Sequence, residues 1–236
     1  MVVNGCALDL AKAIRLNAFE RVLDMRQGVL QRKVEVEMEA GVCVRLETER
    51  FINMARPNRA AIRVTVTPLS GVESLVLEPR LDGGVTNEDT NWDDAFWRHD
   101  SQDSDTAKAT SVLVNTTEKT SFTVGVGQAL ELDGATWEVQ EGEKWTGLAA
   151  TCKGSRAVML TKHVGLVSSL HELPEACGDA ALAEAKAGRA EGYEAERAAH
   201  VKAWENIWAL GDIVIEGDLE AQQAIRFNIF HLNQTY

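Results

Sequence analysis

The stretch VEVEMEAGVCVRLE, residues 34–47, decides the fold class of this chain. Apolar side chains occupy every second position on either side of the Ala40-Gly41 pair, and most positions between them carry a charge. An alternation with a period of two places the apolar side chains on one face of a strand. The stretch therefore predicts an antiparallel hairpin with one buried face and one polar face. Its apolar positions are Val34, Val36, Met38, Val42, Val44 and Leu46.

Short apolar segments of the same kind recur between residues 17 and 175. Asp82-Gly83-Gly84 and Asp133-Gly134 are turn signals between them, and Pro68 is expected to end the strand that contains Ile62. Ten or more short strands without helical crossovers predict a large antiparallel β-sandwich over residues 1–175. The segments lie at residues 62–66, 75–77, 112–114, 122–126, 130–132, 137–139, 158–160 and 164–166.

A helical region follows the strands. Residues 179–209 are rich in Ala, Glu, Lys and Arg, which favour helix, although Gly188 and Gly192 weaken it locally. This helix is expected to end near Gly211, and we predict a helical linker over residues 176–217. One face carries large side chains three or four positions apart. They are Tyr193, Arg197, His200, Trp204 and Trp208.

Residues 218–236 predict a last helix. Asp218 is a suitable N-cap, and Glu220 is favourable in the first turn. No stop signal follows, so we expect this segment to be the first helix of a further part that the chain does not contain. Its apolar face is expected either to self-associate or to fold back on the sandwich. The apolar residues of that face are Leu219, Ile225, Ile229 and Leu232, with Phe230 beside them.

Residues 82–108 form a long polar segment rich in acids and amides, which the sequence predicts to be a loop. Loops of this length are usually functional or mobile. Aromatic rings beside amides and carboxylates are typical of carbohydrate sites, so Asn91, Trp92 and Trp97 are the candidate sugar-binding residues. The favoured interpretation is that the tryptophans pin the loop to the sandwich, because large aromatic residues mostly serve packing.

Composition restricts the class of partner and the compartment. A formal net charge of −12 argues against nucleic acid or an anionic membrane as the main partner. No apolar run approaches the roughly 18 residues that a membrane span needs. The N-terminal residues do not resemble a signal peptide, and the four cysteines are scattered, so we expect a reduced, cytoplasmic protein.

The residues themselves point to no catalytic group, metal or cofactor. The five histidines are dispersed and form no ligand pair. Gly125-Val126-Gly127 lacks the third glycine and the following helix of a dinucleotide fingerprint, so it is interpreted as strand and turn. The acids around Asp93 match no calcium-loop spacing.

Several runs resemble the N-terminal part of glycoside hydrolase family 65, the family of maltose, trehalose and kojibiose phosphorylases. The resemblance covers essentially the whole chain, and residues 87–97 (NEDTNWDDAFW) are most similar to maltose-phosphorylase-like members. The matching runs are LDMRQG (23–28), RFINM (50–54), LDGGVTN (81–87), DIVIEGD (212–218) and RFNIFHLNQ (226–234), with Trp204, Trp208 and Gln222.

The resemblance implies a β-sandwich joined by a helical linker to a catalytic (α/α)6 barrel, in the same chain or in a separate one. It also implies phosphorolysis of an α-glucoside disaccharide with inversion, with inorganic phosphate as co-substrate and β-glucose 1-phosphate as product. A minority of the family uses water instead. The resemblance makes residues 218–236 the first helix of that barrel, which is otherwise absent from this chain. The family's catalytic residues lie in the rest of the barrel, so none is carried over to this chain.

Two hypotheses follow from the sequence. In the favoured one, this is a structural and interaction domain of such an enzyme, inactive alone and able to form a homodimer. In the alternative, it is a stand-alone carbohydrate-binding module that uses Asn91, Trp92 and Trp97. The amphipathic segment at 218–236 favours the first, because a binding module has no need of it.

Overall fold

The computed structural model describes residues 1–39, 41–86, 96–153 and 156–235. These ranges hold fourteen strands followed by a short 3-10 turn at Pro174–Ala176 and three α-helices. The helices are α1 Cys177–Glu191, α2 Tyr193–Gly211 and α3 Leu219–Thr235. The strands are β1 Val2–Val3, β2 Cys6–Ala7, β3 Arg15–Asp24, β4 Val29–Glu39, β5 Val42–Ile52, β6 Arg59–Ser70, β7 Ser74–Leu77, β8 Arg80–Asp82, β9 Trp97–Asp105, β10 Thr110–Thr117, β11 Thr123–Glu131, β12 Trp137–Gly142, β13 Trp145–Lys153 and β14 Val158–Ser168.

The strands of the described residues form two antiparallel sheets, which confirms the predicted β-sandwich. The larger sheet has the order β3-β4-β5-β6-β14-β11-β10-β9, and the smaller has the order β12-β13-β7-β1-β2 with β8 also paired to β13. The hairpin that the sequence predicts is β4–β5, in which Val34 faces Leu46 and Val36 faces Val44.

The main core lies between the two sheets. Side chains from the inner face of the larger sheet meet residues such as Leu75 and Leu148 of the smaller one. Each such buried aliphatic side chain contributes about 1.5–3 kcal/mol relative to an exposed one. The buried members are Val3, Val34, Val36, Val44, Leu46, Val66, Leu75, Leu77, Leu130, Leu148 and Leu160.

Two strand predictions were wrong. Pro68 does not end its strand, because β6 continues to Ser70. Pairing of β6 with β14 stops at Val66, so Pro68 lies where one side of the strand no longer needs a backbone donor, beside a register shift in β5. The segment 82–108 is not all loop, since Trp97–Asp105 forms β9 at the edge of the larger sheet.

Helix α1 packs across the outer face of the larger sheet, and glycines allow its close approach. An added Cβ would lie 2.2 Å from the Cys177 carbonyl oxygen at Gly125 and 2.7 Å from the Leu182 Cα at Gly127. At Gly165 it would lie 2.0 Å from the Ala181 carbonyl oxygen. Gly125-Val126-Gly127 is therefore the middle of a strand rather than a strand and turn, and its glycines make room for the helix.

The helical region divides at Gly192, where φ is 88°, into α1 and α2. Helix α2 ends at Gly211, as predicted. Helix α3 begins after Asp218, whose side chain accepts a hydrogen bond from the Ala221 backbone at 2.9 Å, which confirms the predicted N-cap. No helix in the described ranges is both long and apolar enough to cross a membrane.

Candidate functional site

The candidate sugar-binding residues are only partly described. Asn91 and Trp92 lie outside the described residues. Trp97 is half-buried at the start of β9, and its ring packs edge-on against Phe96 with centroids 5.3 Å apart. Phe96 is 55% exposed, so this aromatic pair lies at the surface. A sugar site that includes Trp97 stays a prediction.

A buried amide joins the two ends of the segment that contains these residues. The Asn115 side chain donates to the Gly83 carbonyl oxygen at 3.1 Å and lies 3.0 Å from His99 Nδ1 through its own oxygen. A Cβ at Gly83 would lie 2.4 Å from Asn115 Nδ2, so a larger residue there would displace the Asn115 amide. The Asp82-Gly83-Gly84 signal thus serves to fix the start of this segment on the sheet.

A second, larger cluster seats α2 on the turn between β3 and β4. The indole of Trp204 is fully buried and lies directly over Gly28, where an added Cβ would be 2.0 Å from its Nε1. Gly28 has a φ of 69°, which also favours glycine. Trp208 extends this contact by donating from Nε1 to the Met25 carbonyl oxygen at 3.1 Å.

His200 connects the same helix to two loops of the sandwich. Its Nδ1 accepts a hydrogen bond from the Met54 backbone at 3.1 Å, so the proton belongs on Nε2, which donates to the Gly28 carbonyl oxygen at 3.0 Å. The ring stacks on Phe51 with centroids 4.7 Å apart. Burial lowers the pKa of His200 because the charged ring is poorly solvated there. The neutral form therefore fills this position.

Glu49 receives the polar side of α2. Tyr193 Oη donates to its carboxylate at 2.7 Å and Arg197 Nε donates at 2.8 Å. Burial alone would raise the pKa of Glu49, but hydrogen bonds from Gln31, Tyr193 and Arg197 outweigh it and hold the pKa below its usual range. The charged carboxylate therefore ties α2 to β5.

A buried cluster of ionisable side chains lies where α1 meets α2. His163 of β14 and Glu196 of α2 are each at most 1% exposed, and His163 Nδ1 lies 3.1 Å from a Glu196 oxygen. The other ring nitrogen lies 3.1 Å from Glu131. Arg59 approaches Glu196 at 3.7 Å and pairs with Glu184 of α1 at 2.6 Å. Dispersed along the sequence, these residues gave no signal of their proximity.

The segment between α2 and α3 is held by side chains of α3. Arg226 donates to both carboxylate oxygens of Asp212, at 2.8 and 2.7 Å, and the hydrogen bond from Arg226 is the main cause that lowers the pKa of Asp212. Gln222 bonds the Ile213 carbonyl at 2.8 Å and the Ile215 backbone N–H at 2.7 Å. Both side chains belong to the runs that carry the family resemblance.

Helix α3 returns onto α2 rather than onto the sandwich. Phe230 is 1% exposed and stacks on Trp204, with ring centroids 4.7 Å apart. Other apolar side chains of this region remain open to solvent in the single chain. We name these residues the α2–α3 apolar surface: Leu210 (92% exposed), Val214 (71%), Leu219 (82%), Phe227 (46%) and Leu232 (60%).

The arrangement is that of a packing site rather than a catalytic one. The side chains of His200, Glu49 and Trp208 bond the backbone or other side chains across the contact, and they hold α2 on the sheet. Within the described ranges, no group of three or more His, Cys, Asp or Glu side chains is placed to hold a metal ion. The structure brings the runs 23–28 and 50–54 together on α2, where Gly28 and Met54 both bond His200 and Met25 bonds Trp208.

Residues 1–207 match the model of the glycosyl hydrolase family 65 N-terminal domain. The chain is 32% identical over 244 residues to the maltose phosphorylase of Bacillus subtilis, covering 100% of this chain and 31% of that protein. It is 27% identical to the kojibiose phosphorylase of Thermoanaerobacter brockii, covering 98% of this chain and 32% of that protein.

A solved structure supports the fold. It belongs to a protein from the human microbiome provisionally named kojibiose phosphorylase, and it superposes with a TM-score of 0.83 at 19% identity. The alignment covers 100% of this chain and 30% of that one, so the chain spans about a third of the length of the proteins it matches. From the family model and the maltose phosphorylase match, the chain belongs to glycosyl hydrolase family 65, and residues 1–207 are its N-terminal domain.

Proposed function

We propose that this chain is the N-terminal, non-catalytic part of an inverting disaccharide phosphorylase. The observation that carries the proposal is the α2–α3 apolar surface. Leu219 and Leu232 are 82% and 60% exposed on a helix whose neighbouring residue Phe230 is buried against Trp204. Large apolar side chains that stay this exposed on neighbouring helical segments favour contact with a further protein surface.

The partner that fits this surface is the catalytic (α/α)6 barrel implied by the family, following in the same chain. Helix α3 would be its first helix, and α1 and α2 would form the segment that joins it to the sandwich. This gives a sandwich at 1–175, a joining segment at 176–217 and a barrel helix from 218 onward. The relatives support the arrangement because they are about three times as long as this chain.

The proposed reaction of the whole protein is phosphorolysis of an α-linked glucoside, with maltose as the first candidate. A general acid in the barrel would protonate the glycosidic oxygen as the bond from it to the anomeric carbon breaks. Inorganic phosphate would attack that carbon from the opposite face, giving β-glucose 1-phosphate and the released sugar. No residue of this chain takes part in a bond-making step.

We also propose that the protein works in the cytoplasm. All four of its cysteines lie in the described residues, and none forms a disulfide bond there. Cys43 and Cys152 are half-buried in strands. Free thiols are typical of proteins that function in a reducing compartment.

Two assays test the proposal. The 236-residue chain, given maltose, kojibiose or trehalose with phosphate, is expected to release no glucose 1-phosphate. The longest chain that its coding sequence encodes in frame is expected to release it from maltose, and Leu219→Lys in that chain should reduce turnover by disturbing barrel packing. Turnover by the 236 residues alone, or a longer chain without phosphorolysis, would contradict the proposal.

A further inference from the structure

A cavity of about 780 Å³ lies on the sandwich, away from the α2–α3 apolar surface. Its walls come from the turn between β9 and β10, the end of β11 with the turn that follows, the start of β12, and the last turns of α1. This volume is within the usual range for small-molecule sites, about 300–1,000 Å³. No part of the family's reaction, as described above, uses it.

Helix α1 contributes two cations to this cavity, and neither has a carboxylate partner in the part of the chain that the structure describes. Lys186 and Arg189 are three positions apart, so they share one side of the helix, and both line the cavity half-buried. Arg189 Nη1 donates to the carbonyl oxygens of Lys108 and Leu130, at 2.7 and 3.4 Å, which fixes its position but leaves its charge uncompensated. Within the described residues, Lys186 forms no hydrogen bond or ion pair.

The remaining charged residues of the lining are either paired with a neighbouring side chain or exposed to solvent. Lys108 is paired with Asp105 at 2.6 Å, and one Glu131 oxygen is used by His163. Asp133 lies exposed on the turn after β11, where its carboxylate can accept hydrogen bonds. A pair of uncompensated cations is notable in a chain with a net charge of −12. It attracts a small anion, while the carboxylates can bind hydroxyl groups.

An aromatic ring completes the lining. Trp137 begins β12, is half-buried, and packs partly against the core between the sheets. A large apolar ring at the wall of a polar cavity offers contact area to the C–H face of a ligand. The lining therefore offers cations for an anion, carboxylates for hydroxyl groups and an aromatic ring for an apolar face, and one class of compound has all three features.

We propose that this cavity binds a monosaccharide phosphate. The phosphate lies between Lys186 and Arg189, the sugar ring packs on Trp137, and its hydroxyls donate to Asp133 and Glu131. The inference goes beyond the proposed function, because binding here requires neither the barrel nor turnover. Its failure would leave the phosphorylase proposal untouched.

Titration calorimetry of the 236-residue chain tests the site with three probes: glucose 1-phosphate, inorganic phosphate and glucose. Glucose 1-phosphate is expected to bind saturably at millimolar concentration and more tightly than either other probe. Added salt should weaken its binding, since the phosphate contacts are electrostatic.

Variants separate the two halves of the site. Lys186→Gln is expected to weaken glucose 1-phosphate binding by about tenfold or more, because a hydrogen bond to a charged group is lost. The matched control is Lys202→Gln, since Lys202 is 70% exposed on α2 and, among the residues that the structure describes, pairs with Glu205 alone, and it should change nothing. Trp137→Leu should weaken glucose 1-phosphate but not inorganic phosphate.

Trp137 also contacts the core, so thermal unfolding of each variant is measured to show that the variant is folded. Saturation-transfer NMR on the unmodified chain detects contact of the sugar protons with the protein. Absence of saturable binding by glucose 1-phosphate would overturn the proposal. So would equal loss in the Lys202 control, or an affinity for phosphate alone that matches that of the sugar phosphate.

Discussion

Replacing Gly28 by alanine is the sharpest test of how α2 is held on the sandwich. Two separate costs are expected. The first is steric, because the new Cβ would lie 2.0, 2.4 and 2.7 Å from three atoms of the Trp204 indole. The second is conformational, because the φ of 69° is one that residues with a Cβ rarely adopt.

The indole cannot move aside freely. Trp204 is fully buried and stacks between Phe230 at 4.7 Å and Trp208 at 5.9 Å. Overpacking of a filled core costs about 1–3 kcal/mol, and a left-handed backbone costs a residue with a Cβ about 1–2 kcal/mol. Gly28→Ala should therefore reduce the free energy of unfolding by about 2–5 kcal/mol.

Gly134 provides a matched control, because it has a φ of 65° and nothing within 4 Å of an added Cβ. Gly134→Ala should lose only the conformational cost, about 1–2 kcal/mol. The difference of about 1–3 kcal/mol corresponds to roughly 2–12 °C in Tm for a chain of this size. Urea denaturation followed by circular dichroism measures both variants.

Hydrogen exchange locates the effect, since α2 beyond His200 and α3 should lose protection in Gly28→Ala before the sheets do. In a double-mutant cycle, the steric cost of Gly28→Ala should disappear in a Trp204→Leu background. Equal destabilisation by Gly28→Ala and Gly134→Ala would refute the proposed contact between this glycine and the indole.

Three further predictions concern ionisation and association. Lys162 bonds the Arg80 carbonyl oxygen at 2.8 Å, and burial lowers its pKa to about 8. The unfolded chain holds the Lys162 proton more tightly than the folded chain does, so the free energy of unfolding should rise by about 2 kcal/mol between pH 7 and 9.5. The rise should be smaller in Lys162→Met. Urea denaturation at both pH values measures it. The pKa of His200 is also lowered by burial, so its contribution to stability should be lost as the pH falls below about 6.5; a His200→Gln variant that keeps the same acid sensitivity would contradict this. Finally, the chain should associate weakly through α3 in sedimentation velocity, as a homodimer or larger, and Leu219→Lys with Leu232→Lys should remain monomeric; an unmodified chain that is monomeric at all concentrations would exclude this contact.

Local sequence was sufficient for the strands with one buried face. In β4 and β5 the alternation of valine and glutamate predicted which face of the hairpin is buried, because a slip of one residue would turn every apolar side chain to the opposite face. The pairing of Val34 with Leu46 came only from the structure. The N-cap at Asp218 was equally local, since it needs only a short polar side chain three residues before a free backbone N–H.

Strands whose stability comes from their neighbours were missed. Strand β9 reads WRHDSQDSD, with no apolar alternation, and it is held at the sheet edge by backbone pairing with β10. Strand β13 lies inside the smaller sheet, but the small residues of its buried run give no alternation to recognise. In both cases the partner strand, rather than the strand's own residues, decides the structure.

The sequence by itself determined the sandwich, the helical region after residue 175, the N-cap of the last helix and, through its motif order, the family resemblance. Only the tertiary structure showed which contacts the residues of those motifs make. Gly28 and Met54 are distant from α2 in sequence, yet one fits beneath Trp204 and the other donates its backbone N–H to His200. The same is true of α3, whose amphipathic pattern gave an apolar face but not which residue is covered. Phe230 is buried because the Trp204 ring lies 4.7 Å away, while Leu219 has no such neighbour and stays 82% exposed. Periodicity defines a face within one element, but burial depends on which other element reaches it.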